Sequence, residues 1–431
     1  MLKLPPLSLY VHIPWCVKKC PYCDFNSHSI DSLASRGDMR NDVKGNAKII
    51  ASSAKPSSSK SASRKSSSRK SGSRKSKEAE SNIPEAEYTQ ALIRDLSSDF
   101  DYVQGRELHS IFFGGGTPSL FSAKAIGEVL DAAEHFVGFS RDIEITLEAN
   151  PGTADSGHFE GYRKAGVNRL SIGIQSFNDE HLKTLGRIHS GEQARRAVSL
   201  ARQAGFDNIN LDLMHGLPGQ TLAQAAVDLS TAMALRPTHL SWYQLTIEPN
   251  TEFYSAPPTL PRDDILAEIQ SYGQALLEQE GFKQYEVSAY AQAGKDSRHN
   301  TNYWQFGDYL GIGAGAHGKI TVAEEQHIVR TRKTRRPEGY LAREDSYLAD
   351  TRLLNNEELP LEFMMNALRL NQGVPQHYFA ERTGMDFGNI VEAWRKLESQ
   401  GLVEALPQNQ HQNFKVTDKG HYFLDTILAE F

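Results

Sequence analysis

The fold is decided by one stretch near the start of the chain, Leu9-Tyr-Val-His-Ile-Pro-Trp-Cys16-Val-Lys-Lys-Cys20-Pro-Tyr-Cys23. Its first part belongs to the run 8–14, which is rich in β-branched and aromatic residues and therefore favours a buried strand. The cysteines that follow have the spacing C-x3-C-x2-C, and thiolates so close in one loop can converge on a soft metal centre. The stretch therefore predicts a strand that leads directly into a metal or cluster site.

Two kinds of site fit these thiols. Structural zinc would need a fourth ligand, such as His12 or His28, to complete a tetrahedron. Zinc sites usually pair two cysteine knuckles, however, and all 3 cysteines of this chain belong to the one motif. A 4Fe-4S cluster held by three thiolates leaves one iron open for a small ligand. We interpret the motif as a cluster site, with zinc as the alternative.

Length and composition place the chain among ordinary globular proteins of two or three domains, since it has 431 residues and 23% charged residues. No apolar run approaches the roughly 18 residues of a membrane span. The start of the chain lacks the charged and apolar regions of a signal peptide. Clustered cysteines also differ from the scattered, even-numbered cysteines of an extracellular disulfide framework. We therefore expect a cytoplasmic protein without a membrane span.

Residues 29–84 differ from the rest of the chain in composition. They carry 13 Lys and Arg against 5 Asp and Glu, a local charge of +8, whereas the whole chain has −6 and the remainder therefore −14. Such a Ser-, Lys- and Arg-rich stretch cannot bury enough apolar surface to offset the entropy lost on ordering, which predicts a disordered insertion. It would serve as a solvated tether, or as a basic arm that touches RNA, anionic lipid or an acidic partner. The acidic remainder argues against specific nucleic-acid binding.

Outside the insertion, strand-like and helix-like segments alternate. Five further strand-like runs follow the first, at 108–113, 142–147, 169–174, 208–214 and 239–245. Apolar residues at helical spacing lie between them, for example Tyr88, Leu92 and Leu96. Six such units predict an α/β protein with a partial (β/α)6 barrel of parallel strands. Functional residues are then expected at the C-terminal ends of the strands.

The chain divides into a barrel and two further segments, at 1–28 and 85–285, at 286–355 and at 356–431. We expect the segment 286–355 to cover the barrel. The pattern changes from about Pro360 to short helices followed by two brief strand-like pieces. This order predicts a small C-terminal domain, winged-helix-like in arrangement.

The cysteine motif, with the aromatic Tyr22 before its last cysteine, resembles the signature of the radical S-adenosylmethionine (radical-SAM) superfamily. The resemblance implies a partial (β/α)6 barrel and a 4Fe-4S cluster on Cys16, Cys20 and Cys23. It also implies that the amino and carboxylate groups of S-adenosylmethionine (SAM) bind the open iron. One electron from the cluster then cleaves SAM to a 5′-deoxyadenosyl radical, so an electron donor is implied as well.

The same resemblance implies a set of SAM contacts, each near the end of a predicted strand. They are Tyr10, Tyr22, Gly115, Gly116, Thr117, Glu148, Gln175, Arg187 and Asp212. Tyr10 would contact the sulfonium region, and the missing side chains of the glycines would let the backbone approach the methionine part. Arg187 would face the carboxylate, since a planar guanidinium suits that anion. Glu148 would pair with the amino-acid or ribose end, and Asp212 could accept ribose hydroxyls.

The first strand together with Gly114-Gly-Gly-Thr-Pro118 resembles one branch of the superfamily. That branch contains oxygen-independent coproporphyrinogen III oxidase and its HemW-type haem-chaperone relatives. Two features of this chain differ from those of the oxidase. Phe25 stands where the oxidase has a further cysteine, and nine residues precede Tyr10 where the oxidase has a long N-terminal arm.

A second motif favours the chaperone relatives. His299-Asn-Thr-Asn-Tyr-Trp304 matches their HNxxYW motif, in which the histidine is implicated in haem binding. A neutral imidazole is a good axial ligand of haem iron, and aromatic faces can pack on a porphyrin. The glycine-rich loop Gly311–Gly318 contains His317, the reserve candidate for the same role.

We therefore interpret the chain as a haem chaperone, which would bind haem and transfer it to an unidentified acceptor protein. The cluster and SAM would then support transfer or assembly of a homodimer. Oxygen-independent coproporphyrinogen III oxidase, or another radical-SAM oxidoreductase, is the alternative, so whether the chain is an enzyme stays open. A zinc-stabilised interaction protein with a basic arm is a third alternative.

Overall fold

The computed structural model describes residues 1–30, 83–153, 155–406, 409 and 412–431. Most of the predicted insertion, from 31 to 82, lies outside the described residues. Within the described residues, no helix combines the length and the apolar character that crossing a membrane requires.

The strands account for all six strand-like runs of the sequence and add others. They are β1 (Leu7–Ile13), β2 (Trp15–Cys16), β3 (His28–Ser29), β4 (Leu108–Gly115), β5 (Phe139–Ala149), β6 (Arg169–Gln175), β7 (Asn208–His215), β8 (His239–Gln244), β9 (Lys283–Glu286), β10 (Ala289–Ala291), β11 (Asp308–Ile312), β12 (His317–Val322), β13 (His327–Lys333), β14 (Leu348–Leu353), β15 (Val374–Pro375) and β16 (Asn413–Phe414). The predicted runs correspond to β1 and to β4 through β8.

Helices connect most of these strands. They are α1 (Glu85–Ser98), α2 (Ala123–Phe136), α3 (Ser156–Ala165), α4 (Asp179–Thr184), α5 (Gly191–Gln203), α6 (Leu222–Ala234), α7 (Glu252–Ser255), α8 (Asp263–Gln279), α9 (Arg298–Trp304), α10 (Pro337–Leu341), α11 (Leu359–Ala367), α12 (His377–Thr383), α13 (Gly388–Ser399) and α14 (Leu424–Leu428). Two of them begin with reciprocal caps that the sequence encodes locally. Ser190 and Gln193 form a capping box at α5, and Thr221 and Gln224 form another at α6.

One twelve-stranded sheet forms the centre of the molecule, in the order β14-β13-β12-β11-β1-β4-β5-β6-β7-β8-β10-β9. The strands from β11 to β8 in this order pair in parallel, and those at both ends pair antiparallel. The predicted α/β class and partial barrel are confirmed, and β11 adds a seventh parallel strand to the six that the sequence predicted. Because parallel strands end at a common edge, the loops after β1 and after β4 to β8 meet there.

Burial on both faces explains why these strands are rich in apolar residues. In β1, Leu9 and Val11 are fully buried, and so is Leu7. The helix α1 packs Tyr88 and Leu92 into the same core. The sheet and the helices packed on it therefore share one continuous apolar core.

The segment that we expected to cover the barrel contributes strands to the same sheet. Within it, β11 pairs in parallel with β1, so that Tyr10 lies beside Gly311. The hairpin β12–β13 and the strand β14 then continue the sheet in antiparallel order. Its strands β11 to β14 therefore lie on the side of the first strand opposite β4, whereas β10, at the start of the segment, pairs with β8 and β9 at the other end of the sheet.

The C-terminal residues form a second core. Phe363, Trp394 and Phe414 are fully buried there, and Leu2 and Phe306 belong to the same cluster. Two short antiparallel pairings, between β15 and β16 and between Val403 and Val416, complete this part. The shared core fastens the C-terminal helices to the β11–β13 side of the sheet, which positions α11 beside the site.

Candidate functional site

The cysteine loop begins where β1 ends. Cys16 lies in β2, which pairs with β3 through Trp15 and His28 and through Cys16 and Ser29. The Cys23 amide donates to the Cys20 carbonyl at 3.2 Å, which closes a turn between the last two cysteines. All three thiols are free and partly exposed. They line one cavity of about 320 Å³, which we call the cysteine cavity.

The glycines after β4 hold this loop in place. The Gly116 amide donates to the Ile13 carbonyl and the Thr117 amide to the Trp15 carbonyl, both at 2.7 Å. A Cβ on Gly116 would lie 2.5 Å from the Trp15 oxygen, and one on Gly115, whose φ is +111°, would lie 2.5 Å from the His12 ring. Glycine is therefore required by contacts within the chain. That requirement is independent of the predicted approach to SAM.

The alternative zinc site needed a histidine as fourth ligand. His12 is engaged at both ring nitrogens, since Nδ1 lies 3.0 Å from the Tyr10 hydroxyl and Nε2 lies 2.9 Å from the Asn26 carbonyl oxygen. His12 is therefore not free to act as that ligand. The cavity offers three thiols from one loop, which suits a cluster with one open iron.

The structure brings most of the predicted site residues together. The cysteine cavity is lined by Cys16, Cys20, Cys23, Tyr22, Gly115, Gly116, Thr117, Glu148, Gln175, Arg187 and Asp212. Two predicted residues, Tyr10 and His299, lie instead on a smaller adjoining cavity of about 250 Å³, the inner cavity. Glu148 and Asp212 line both cavities. The assigned roles of all these residues remain predictions.

Arg187 provides a test of whether the cavity fits SAM. Its Nη2 donates to the Gly173 carbonyl at 2.7 Å and its Nη1 lies 3.7 Å from the Cys20 Sγ. Its Nε has no hydrogen-bond partner among the described residues. A buried guanidinium is costly unless an anion pairs with it. The cavity therefore suits a ligand with a carboxylate, which SAM has.

Two carboxyl groups face the same space from β5 and β7. Glu148 accepts a hydrogen bond from the Gly115 amide at 3.3 Å, and burial, then Asp212, raise its pKa to about 8. Asp212 accepts from Ser171 Oγ at 3.1 Å and from Asn210 Nδ2 at 2.8 Å, while burial raises its pKa. Without a ligand, the pair therefore retains a proton near neutral pH. A bound ammonium or a sugar hydroxyl would satisfy these oxygens.

This raised pKa predicts a pH dependence of stability. In the protein without SAM, Glu148 keeps a proton that the unfolded chain, with its ordinary pKa of 4.5, has released. The free energy of unfolding should therefore fall as pH rises from about 4.5 to about 8, by at most on the order of 5 kcal/mol. Glu148→Gln should remove this part of the dependence in urea titrations. An unchanged pH dependence in the variant would contradict the assignment, and Glu180→Gln, on the surface of α4, is the control.

Several lining residues were missed by the sequence analysis. They are Lys18, Phe25, Ser27, Pro118, Ala149, Asn150, Ser171, Gly173, Ser241 and Tyr243. Tyr243 donates to Gln175 Oε1 at 2.8 Å, which orients that amide, and Gln175 itself has a φ of 70°. Ser171 and Ser241 are polar residues within apolar strands. A polar residue within an otherwise apolar strand is the sequence signal that would have indicated these two serines.

His299 lies near the start of α9, and its side chain is buried. Its Nδ1 lies 3.1 Å from Ser110 Oγ and its Nε2 lies 2.8 Å from the Tyr303 hydroxyl. The ring also stacks on Phe112, with 5.1 Å between centroids. Its predicted role as a haem ligand stays a prediction. The structure adds a condition, since the Tyr303 hydroxyl would have to release Nε2 before that nitrogen could bind iron.

A larger cavity of about 690 Å³ lies between the sheet and the C-terminal helices, and we call it the outer cavity. Its lining comes from β1, with Tyr10 and His12, and from β11, β12, β13, α9 and α11. Glu148 and Gly115 also line it, as does Phe25, so it adjoins the cysteine cavity. A volume of this size lies within the ~300–1,000 Å³ typical of small-molecule sites.

The fold and the cysteine cavity are those of a radical-SAM protein, and comparison with known proteins agrees. The model of the Radical SAM superfamily matches residues 10–230, and that of the HemN C-terminal domain matches residues 354–423. Coproporphyrinogen III oxidase (HemN) from Escherichia coli, a radical SAM enzyme of known structure, has a TM-score of 0.72 at 21% identity. The match covers 99% of this chain and 90% of that one, and it shows the shared fold.

Curated relatives show which family of the radical SAM superfamily this chain resembles. Heme chaperone HemW of Escherichia coli (strain K12) is 44% identical over 431 residues, which cover 100% of this chain and 99% of the relative. Heme chaperone HemW of Bacillus subtilis (strain 168) is 32% identical over 436 residues, 98% of each chain. The chain belongs to the HemW family of the radical SAM superfamily.

Proposed function

We propose that this chain is a haem chaperone, which binds haem and transfers it to an acceptor protein while carrying a SAM-coordinated 4Fe-4S cluster. The observation that carries the proposal is the full-length similarity to relatives named heme chaperone HemW. The outer cavity supports it, because its size and aromatic lining suit a flat macrocycle.

The cysteine cavity would hold the cluster and SAM. Cys16, Cys20 and Cys23 would bind three irons, and the cluster supplies one-electron reduction of SAM when it is bound. Arg187 would hold the SAM carboxylate, and Glu148 with Asp212 would accept from its amino group and ribose. Gln175 would line the same cavity, and Tyr10 would line the adjoining inner cavity.

Further partners belong to the same proposal. A cluster that is reduced and reoxidised needs an electron donor, and a chaperone needs an acceptor for its haem. We also propose that cluster and SAM binding support a homodimer. Three free thiols at an oxygen-sensitive centre suit the reducing conditions of the cytoplasm.

Haem binding and transfer can be tested on the anaerobically reconstituted chain. We expect about one haem per chain in a titration followed at the Soret band, and movement of that haem to an added apo-haem protein. Incubation with coproporphyrinogen III, SAM and a reductant should yield no vinyl product. Absence of haem binding would overturn the proposal.

Coproporphyrinogen oxidation is the second candidate, because the first strand and Gly114-Gly-Gly-Thr-Pro118 resemble the branch that contains that oxidase, and a solved structure of the oxidase shares the fold. Phe25, where the oxidase has a cysteine, lines both the cysteine cavity and the outer cavity and is 64% exposed. Position 25 therefore lies at the boundary that a porphyrin and SAM would share. Vinyl product in the incubation above would move the assignment to the oxidase.

A further inference from the structure

We infer that haem binds in the outer cavity and that the His317 imidazole is an axial ligand of its iron. This inference rests on the proposed haem binding and deepens it. It places the ligand outside the His299 motif, on a different element of the fold.

The outer cavity has three walls. The sheet supplies one, because residues two apart on a strand share a face and His317 and Lys319 of β12 both line the cavity. Tyr309 and Arg330, which flank Lys319 in the sheet, lie on the same wall. The other two walls come from α9, with Tyr303 and Trp304, and from α11, with Glu362, Met365 and Asn366. A flat ligand between these walls would have His317 at its face.

Two histidines line the outer cavity, His12 and His317, whereas His299 does not. His12 is engaged at both ring nitrogens, which leaves His317 to be compared with His299. The His317 side chain is exposed, and no described residue makes a hydrogen bond to its ring nitrogens. His299 is 1% exposed, and both of its ring nitrogens are engaged. Burial of part of the His317 ring, then Arg332 and Arg330, lower its pKa, which favours the neutral imidazole. That is the form with a lone pair for iron.

The charges of the lining suit the two propionates of haem. Arg330 pairs with Glu362 and donates to the Tyr309 hydroxyl at 2.8 Å. Arg369 lies over the Trp304 ring, 4.3 Å from its centroid, and pairs with Glu286 at 2.8 Å. Both guanidinium groups are partly exposed, so they have donors left for a carboxylate.

The aromatic lining suits the porphyrin itself. Tyr303, Trp304, Tyr309 and Phe306 surround the cavity, and Phe25 closes the side towards the cysteine cavity. Aromatic faces pack favourably on a conjugated ring. Haem in this position would therefore lie beside the SAM site, with Phe25 and Glu148 between them.

The inference is tested by comparing His317→Ala with His327→Ala in cluster-loaded protein. His327 lies on the same hairpin, is paired with Glu325 and does not line the outer cavity. Since loss of an outer-shell partner weakens metal sites about 10–100-fold, loss of the ligand should weaken haem binding at least about tenfold and shift the Soret band. Added imidazole should restore the Soret position in His317→Gly. His327→Ala should match the unmodified chain.

Binding of iron-free protoporphyrin IX shows whether His317 binds the iron or only packs against the porphyrin. Because protoporphyrin IX has no iron, His317→Ala should leave its affinity unchanged. If the substitution weakens protoporphyrin binding as much as haem binding, His317 has only a packing role. The inference is overturned if His317→Ala keeps the haem spectrum and affinity while His299→Ala loses both, in which case the proposed haem binding stands. If the unmodified chain binds no haem at all, the proposed function fails as well.

Discussion

Replacing any one of Cys16, Cys20 or Cys23 with Ala should abolish the cluster. The chain contains 3 cysteines in all, so no other thiol can substitute for a lost one. All three line the same cavity, and each would hold a different iron. We expect the unmodified chain, reconstituted anaerobically, to contain about four irons and four sulfides. Each variant should fall to background in iron, acid-labile sulfide and visible absorption.

Lys18→Ala is the matched control for these variants. Lys18 lines the same cavity between two of the cysteines but offers no thiol, so the iron content should stay near that of the unmodified chain. Stoichiometric zinc without acid-labile sulfide would contradict the cluster and restore the zinc alternative. The haem titration should survive in Cys20→Ala, because none of the cysteines lines the outer cavity.

Arg187→Met should abolish most SAM binding and leave the cluster in place. The Arg187 Nε is buried and has no partner among the described residues, and the side chain lines the cysteine cavity. Hydrogen bonds to a charged group contribute about 1.5–3 kcal/mol, which corresponds to about 10- to 150-fold in affinity. Isothermal titration of the reconstituted protein with SAM measures the loss. Iron and sulfide content should stay unchanged.

Two further substitutions make this test specific. Arg187→Lys keeps the positive charge but loses the planar pair of donors, so it should recover part of the affinity and not all of it. Arg196→Met removes an exposed arginine on α5 and should leave SAM binding unaltered. Full SAM affinity in Arg187→Met would show that the carboxylate is held elsewhere.

The sequence alone determined the six parallel strands and the cysteine loop. A buried parallel strand is rich in apolar and β-branched residues, so runs such as 169–174 are visible locally. The spacing of Cys16, Cys20 and Cys23 is equally local, because all three thiols lie within one loop. The parallel order places the C-terminal ends of β5 and β7 at one edge, where Glu148 and Asp212 lie, and Arg187 reaches the same cavity from the loop between α4 and α5.

Tertiary structure alone decided where the outer cavity lies and that His317 lines it while His299 does not. Its walls come from segments far apart in the chain, and β11 joins the sheet beside β1 through pairings that no local pattern specifies. His299 and His317 have the same chemistry in the sequence, yet packing buries the first against Ser110 and Phe112 and leaves the second exposed. The raised pKa of Glu148 has the same origin, because desolvation depends on everything packed around a group.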